Sequence, residues 1–182
     1  MNKLKNKYQI IYMDPPWKYG GSGGSKWLRA DNFYETISDK ELSIKLEKSI
    51  KPLIDEKSCL IFVWVTSPHL EKSIALICKS LSVNYITVGF VWYKERANVG
   101  NYTMSSCEYC LIFKKGKIPS DRIRNPGTMQ FLSKPVSKHS EKPFEIRNRI
   151  MKMFPKSDKL EVFSRHQTLG WDIIGKDLGV EI

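Results

Sequence analysis

Short apolar runs alternate with helix-length stretches along nearly the whole chain, and that alternation leaves few folds open. Runs of strand length cover residues 8–13, 58–65, about 85–93, 107–113, 159–163 and a short extended piece at 171–174. Helices are expected at about 38–50, 68–80 and 143–153. Ser38, with Glu41 three residues on, has the spacing of a capping box and marks the first helix start. This order predicts an α/β fold with a doubly wound, mostly parallel sheet. At 182 residues the chain has the length of one domain with a single good core, taken as 1–182.

The first apolar run, Tyr8 to Met13, ends at Asp14-Pro15-Pro16-Trp17. Proline cannot donate to a sheet ladder, so the strand stops there. An acid, two rigid prolines and an aromatic then stand at the carboxyl end of a strand, where open α/β sheets bind ligands. The arrangement suits chemistry on the exocyclic amine of a nucleobase. The N6 amine of adenine is a weak nucleophile because its lone pair is delocalised into the ring. Asp14 offers an acceptor for one N–H, and the Pro15 carbonyl offers one for the other. Pro16 restricts Pro15 to extended geometry and so fixes where that carbonyl points. Trp17 offers a stacking face for an extruded base, worth roughly 1–3 kcal/mol.

The formal net charge of +11 and a sequence pI of about 9.5 favour a polyanionic partner. Two segments, 94–106 and 114–138, read as long irregular loops. They carry Lys94, Arg96, Lys114, Lys115, Lys117, Arg122, Arg124, Lys134 and Lys138, interleaved with Asn98, Asn101, Tyr102 and Asn125. That mixture is the candidate nucleic-acid surface. The glycine-rich segment 20–24 lacks the residues of a phosphate loop. It reads either as a lid beside Trp17 that orders with substrate and brings Lys26, Trp27 and Arg29 toward it, or as plain disorder. Cys107 and Cys110 have a CxxC spacing, but no second pair exists and the three histidines are scattered. No metal site is expected, and the cysteines read as reduced residues of a cytoplasmic protein. No apolar stretch approaches membrane-spanning length, and no signal peptide is expected.

The ordered motifs resemble the MT-A70 family of S-adenosylmethionine-dependent adenine N6 methyltransferases. They are Asp14-Pro15-Pro16-Trp17, Tyr34-Glu35-Thr36-Ile37-Ser38, Leu60 to Thr66, and Val91-Trp92-Tyr93-Lys94. Glu108 in its strand, His139 to Glu145, Leu160 to Arg165, Gly170-Trp171-Asp172 and Gly175-Lys176-Asp177 complete the set. The resemblance runs from about Tyr8 to Asp177. It implies a Rossmann-like methyltransferase domain in permuted motif order, with the catalytic strand first and the cofactor strand, Lys159 to Phe163, last.

The resemblance also implies site roles. Lys142, just before Pro143 at a helix start, is expected to hold the methionine carboxylate of S-adenosylmethionine, and Asp14 to face its amino group. Arg165, His166 and Gln167 are expected around the ribose and methionyl portions. Asp177 stands where the family usually has Glu or Gln on the ribose hydroxyls, and Lys176 replaces the usual Asn. Tyr34 is expected to line the base pocket. Glu108, an acid in an apolar strand, is expected to orient an active-site loop by pairing with Arg96 or Lys94. Trp64 and Trp92 are expected to pack. The reading is methyl transfer to adenine in DNA. The same chemistry on RNA and a non-catalytic nucleic-acid-binding subunit are its rivals. A homodimer or a partner subunit, no membrane association and no separate target-recognition domain are also expected.

Overall fold

The computed structural model describes residues 4–18, 37–100, 102–120, 125, 127–137 and 141–175. Tyr34, Arg122, Arg124, Lys176 and Asp177, with the glycine-rich segment 20–24, lie outside the described residues. Among those described, seven strands form one sheet: β1 (Ile10–Met13), β2 (Ser58–Thr66), β3 (Asn84–Val99), β4 (Met104–Gly116), β5 (Phe131–Ser133), β6 (Lys159–Val162) and β7 (Asp172–Ile174). The helices are α1 (Asp39–Lys45), which runs on as a π-helical turn to Ile50, α2 (Leu70–Leu81) and α3 (Phe144–Met153). Ser38 caps α1 through the full reciprocal capping box with Glu41. None of these helices is long and apolar enough to cross a membrane.

The sheet order is β5-β3-β4-β2-β1-β6-β7. β1 lies between β2 and β6 and is parallel to both. β7 runs parallel to β6 and β5 to β3, while β4 is antiparallel to both of its neighbours. The chain leaves β1 through α1 toward β2 on one side, and reaches β6 through α3 on the other. The crevice at the carboxyl ends of β1 and β6 is therefore a topological switch point, where such sheets bind ligands.

Strand alternation sends one set of side chains to each face. Ile11, Met13, Ile61, Val63, Val65, Leu111, Phe113, Leu160 and Val162 pack with Leu42, Leu46, Ile77 and Leu81 of the α1–α2 layer. Ile10, Tyr12, Phe62, Trp64, Phe90, Trp92 and Cys110 face the other way and pack with Ile146 and Ile150 of α3 and with Phe154. The two helical layers make the sheet doubly wound, as expected.

The expected loop 94–106 is instead largely strand. β3 continues to Val99 and β4 starts at Met104, so the segment forms the outer part of an antiparallel hairpin. The register slips between Tyr93 and Asn98, and Glu95 has a φ of 57° at that irregularity. Both faces of the ribbon are solvated beyond Lys94, so no apolar alternation marks it in sequence. A second correction follows from the direction of β4. Glu108 pairs with Thr66 at the carboxyl end of β2, and Gly116 pairs with Ser58 at the other end. By register Asp14 is level with Cys110, so Lys114, Lys115 and Lys117 lie four to seven residues further along, roughly 13–23 Å away at about 3.3 Å per residue. They do not join the surface beside Asp14.

Candidate active site

Asp14 leaves β1 on the α3 face, in line with Ile10 and Tyr12. Its Oδ2 accepts a 2.7 Å bond from Lys142 Nζ, which precedes α3. The same ammonium lies 3.4 Å from Glu108 Oε2 on β4, and Glu108 Oε1 lies 3.3 Å from Lys94 Nζ on β3. Four strands or helix starts thus contribute to one alternating row, Asp14–Lys142–Glu108–Lys94. Buried charge is costly unless it is paired, and alternation of sign is what makes this row tenable. The Lys142 ammonium also lies 5.9 Å from the Trp64 ring centroid.

Burial raises the proton affinity of Asp14, the Lys142 charge opposes it, and the Glu108 charge reinforces it; the carboxyl ends above its ordinary range. Burial also pushes Glu108 upward, but Lys142 and Lys94 together overcome it and hold the carboxyl below its ordinary range. The two acids therefore differ: the surroundings of Glu108 favour its charged form, whereas Asp14 is the stronger hydrogen-bond acceptor.

The rest of the motif is a compact turn. Trp17 N–H donates to the Pro15 carbonyl at 2.8 Å, and Ile37 N–H donates to the Pro16 carbonyl at 3.1 Å. A carbonyl has two lone pairs, so Pro15 keeps one acceptor position. Trp17 departs from the expected stacking face. Its indole is 4% exposed, within the α1–α2 core, and its Nε1–H donates to the Trp64 carbonyl at 2.8 Å. The physical reason is the fold: the turn sends the ring back under β2, where the bond to the Trp64 carbonyl pins the motif to the sheet. Trp64 packs as expected, with its own Nε1–H on the Tyr12 hydroxyl at 2.6 Å and its ring edge-on to Trp92.

A cavity of about 720 Å³ opens at the switch point. Asp14, Lys142, Phe144, Arg147, Glu161 and Phe163 line it, and so does the loop Ser164 to Leu169. The structure thus brings Asp14, Lys142, Arg165, His166 and Gln167 around one cavity, as the motifs imply. The last three are exposed on the rim. Phe163 turns the chain out of β6 with a φ of 63°, a conformation that an aromatic residue adopts only under constraint. The return strand lies so close that a Cβ on Gly175 would meet the Ser164 carbonyl at 2.0 Å. Glycine is required there for this approach.

Other assignments fare differently. Lys94 is buried on Glu108, one of the two partners expected for that acid, and is not available as a phosphate contact. Arg96 and Asn98 lie exposed on the hairpin. Sequence reasoning missed Arg147 and Glu161, which form a largely buried ion pair on the cavity wall. Glu161 stands in the apolar context Leu160-Glu161-Val162, and the rule that singled out Glu108 applies to it equally.

The cavity fits S-adenosylmethionine. Its volume lies in the roughly 300–1,000 Å³ range of small-molecule sites. Its wall presents both an acid, Asp14 with 30% of its side chain open, and cations, Lys142 and Arg165. Those are the complements of the amino and carboxylate groups at the methionine end of that molecule.

Comparison with known proteins agrees. The MT-A70 family model matches residues 8–177. The Type II methyltransferase M.MunI of Mycoplasma sp is 40% identical, over 96% of this chain and 79% of that protein. An N(6)-adenosine-methyltransferase MT-A70-like protein of Arabidopsis thaliana is 25% identical over 94% of this chain and 24% of its own length. The N(6)-adenosine-methyltransferase subunit METTL3 of Danio rerio is 24% identical over 96% of this chain and 29% of its own. The chain therefore spans most of the first relative and about a quarter of the other two. With the motif order, the switch-point cavity and these matches in agreement, the chain belongs to the MT-A70 family and is a methyltransferase that uses S-adenosylmethionine.

Proposed function

We propose that this chain methylates the N6 amine of adenine in DNA, with Asp14 as the residue on which the reaction turns. The observation that carries the reading is the division of labour on the Asp14 carboxylate. Lys142 occupies Oδ2, and Oδ1 has no hydrogen-bond partner among the described residues. Asp14 lines the cavity, and its Oδ1 accepts one amine N–H while the remaining lone pair of the Pro15 carbonyl accepts the other. Two acceptors bias the nitrogen toward sp³ character and fix its lone pair in direction, which is a positioning effect. The raised proton affinity of Asp14 strengthens that acceptor and suits it to receive the proton that the nitrogen sheds.

Lys142, Arg165 and Gln167, with Asp14, hold the methyl donor. S-adenosylmethionine, when bound, supplies a methyl on a sulfonium sulfur that keeps the bonding pair as the methyl leaves. Glu108 and Lys94 keep Lys142 in place between its two acids. Trp17 acts by holding the turn against β2.

DNA is favoured over RNA because the relative that matches over most of both chains is a type II methyltransferase, the class that modifies DNA. The net charge of +11 supports a nucleic-acid partner of either kind. The target base is flipped from the duplex or already unpaired, since the cavity edge cannot reach a stacked amine. The test is methyl transfer from labelled S-adenosylmethionine to matched single- and double-stranded DNA and RNA, each digested and analysed for N6-methyladenine. Product in DNA is expected. Product in RNA alone overturns the substrate assignment, and donor binding without product on any substrate points to a missing partner subunit.

A further inference from the structure

We propose that Arg147 and Glu161 are positioning residues of the methyl-donor cavity, a single ion pair that sets the spacing of its two walls. The proposal rests on the reading that this cavity takes S-adenosylmethionine. Glu161 stands on β6 with 2% of its surface exposed, and both of its carboxylate oxygens are used. Oε1 accepts from Arg147 Nε at 2.9 Å, and Oε2 accepts from the Thr168 hydroxyl at 3.0 Å. Arg147 reaches further from the first turns of α3. Its Nη1 donates to the backbone carbonyl of Lys142 at 3.4 Å, and its guanidinium lies 5.0 Å from the Tyr12 ring centroid.

The consequence is geometric. One wall of the cavity is the Lys142 segment and the other is the loop from Ser164 to Leu169. Neither wall is a regular element, and among the described residues no sheet or helix ladder holds them beyond the Ser164 N–H bond to the Ile174 carbonyl. The pair joins them: Arg147 holds the Lys142 backbone, Glu161 holds Thr168, and the ion pair links the two. Tyr12, two residues before Asp14 on the same face of the sheet, lies under the guanidinium. A planar, forked cation is needed, because a lysine at 147 delivers one point charge and cannot hold the carboxylate and the carbonyl together. The pair touches no reacting atom, so its removal acts through the placement of Lys142, Arg165 and Gln167.

The experiment uses the full chain with S-adenosylmethionine and its DNA substrate. Truncating Glu161 would leave Arg147 buried without its acid and risks the fold. The variants are therefore Thr168→Val, which removes one hydrogen bond at nearly constant volume, its control Thr168→Ser, which restores the hydroxyl, and Arg147→Lys. Donor binding to the unaltered chain is measured first by calorimetry, and steady-state KM and kcat follow for each variant. Thr168→Val and Arg147→Lys are expected to raise the donor Kd and KM about tenfold. The kcat at saturating donor should fall by less than about twofold and the KM for DNA should stay put, the signature of lost uniform binding. Thr168→Ser should bind as the unaltered chain does. Folded Thr168→Val and Arg147→Lys proteins with unchanged donor affinity would overturn the proposal while leaving the cavity assignment intact. An unaltered chain that binds no donor would overturn the cavity assignment, and this proposal with it.

Discussion

The two faces of the same sheet are built from different materials. The face under α1 and α2 is a mainly aliphatic core of Ile, Leu and Val, joined by Tyr8, Met13, Trp17 and Phe113, with no buried charge among its described members. The face under α3 carries Tyr12, Phe62, Trp64, Phe90, Trp92 and Trp171, and beyond them Lys94, Glu108, Lys142, Arg147 and Glu161. Each strand contributes to both: β1 sends Ile11 and Met13 one way and Tyr12 and then Asp14 the other. A period of two residues thus separates stability from chemistry within a single strand. The aliphatic face gains from burial at roughly 25 cal/mol per Å² and asks for nothing else. The charged face surrenders part of that gain, because each ion must be matched by another, and obtains fixed charges at the carboxyl edge in return.

The separation is broken hardest at Asp14. Asp14→Ala should lower methyl transfer by roughly 10³-fold, the scale for removing one group that stabilises a transition state. The denaturation midpoint should hardly move, since Lys142 keeps Glu108 as its partner. Activity is read by N6-methyladenine in digested DNA and stability by urea titration. A variant with near-normal turnover would refute the role of the carboxylate.

The mirror-image change lies on the aliphatic face. Leu46 is fully buried on the α1 layer. Leu46→Ala should cost about 3 kcal/mol of stability through lost transfer energy and the cavity left behind. Its kcat and both KM values, measured well below the unfolding transition, should match those of the unaltered chain. A fall in kcat comparable with that of Asp14→Ala would show that the two faces are mechanically coupled.

How much of this was legible depended on range. The capping box at Ser38 and Glu41 was, because both partners lie within one turn. So was the end of β1, because two prolines forbid its continuation. The position of Asp14 at the carboxyl end of a strand followed from strand–helix alternation, but that this end is a switch point depends on the sheet order. The hairpin at 94–106 was not, because a ribbon solvated on both sides has no apolar period to read, and its pairing is decided by β4. The direction of β4 was equally hidden, and with it the removal of Lys114, Lys115 and Lys117 from the site. The burial of Trp17 depends on Trp64, 47 residues on, which no local pattern encodes. Arg147 and Glu161 were within reach by the cost of a buried acid, but only the fold supplies the partner.

A smaller effect tests the charged row from within. Glu108→Gln removes a negative charge that raises the proton affinity of Asp14, and leaves Lys142 to Asp14 alone. Both changes favour the ionised form of Asp14, so the acid limb of the kcat/KM–pH profile should move to lower pH. Stability should respond with a defined sign. Glu108 is depressed in the folded state, so its contribution is complete above the unfolded-state value, about 4.3, and is lost as pH falls through the folded value. The variant should lack that acid-side dependence and be less stable at neutral pH. Unchanged acid limbs in the two proteins would mean that Asp14 does not sense Glu108.

The smallest change probes a place where the backbone at the start of α1 is tied directly to the motif. Ile37 bridges to Trp17 and donates its N–H to the Pro16 carbonyl, and Ser38 then caps α1. Ser38→Ala removes the capping hydroxyl and should cost about 1 kcal/mol of stability. If the faces are separate in function, kcat should stay within about twofold, because the backbone bond from Ile37 does not need the hydroxyl. If α1 instead sets the Asp14-Pro15-Pro16-Trp17 turn, kcat should fall by more than the stability loss accounts for, while the donor KM stays fixed. The two outcomes differ because the cavity proposed for the donor, lined by Lys142, Arg165 and Gln167, lies on the opposite side of the sheet. A change confined to kcat therefore places the disturbance at the target amine, and locates the coupling between the faces at Ile37.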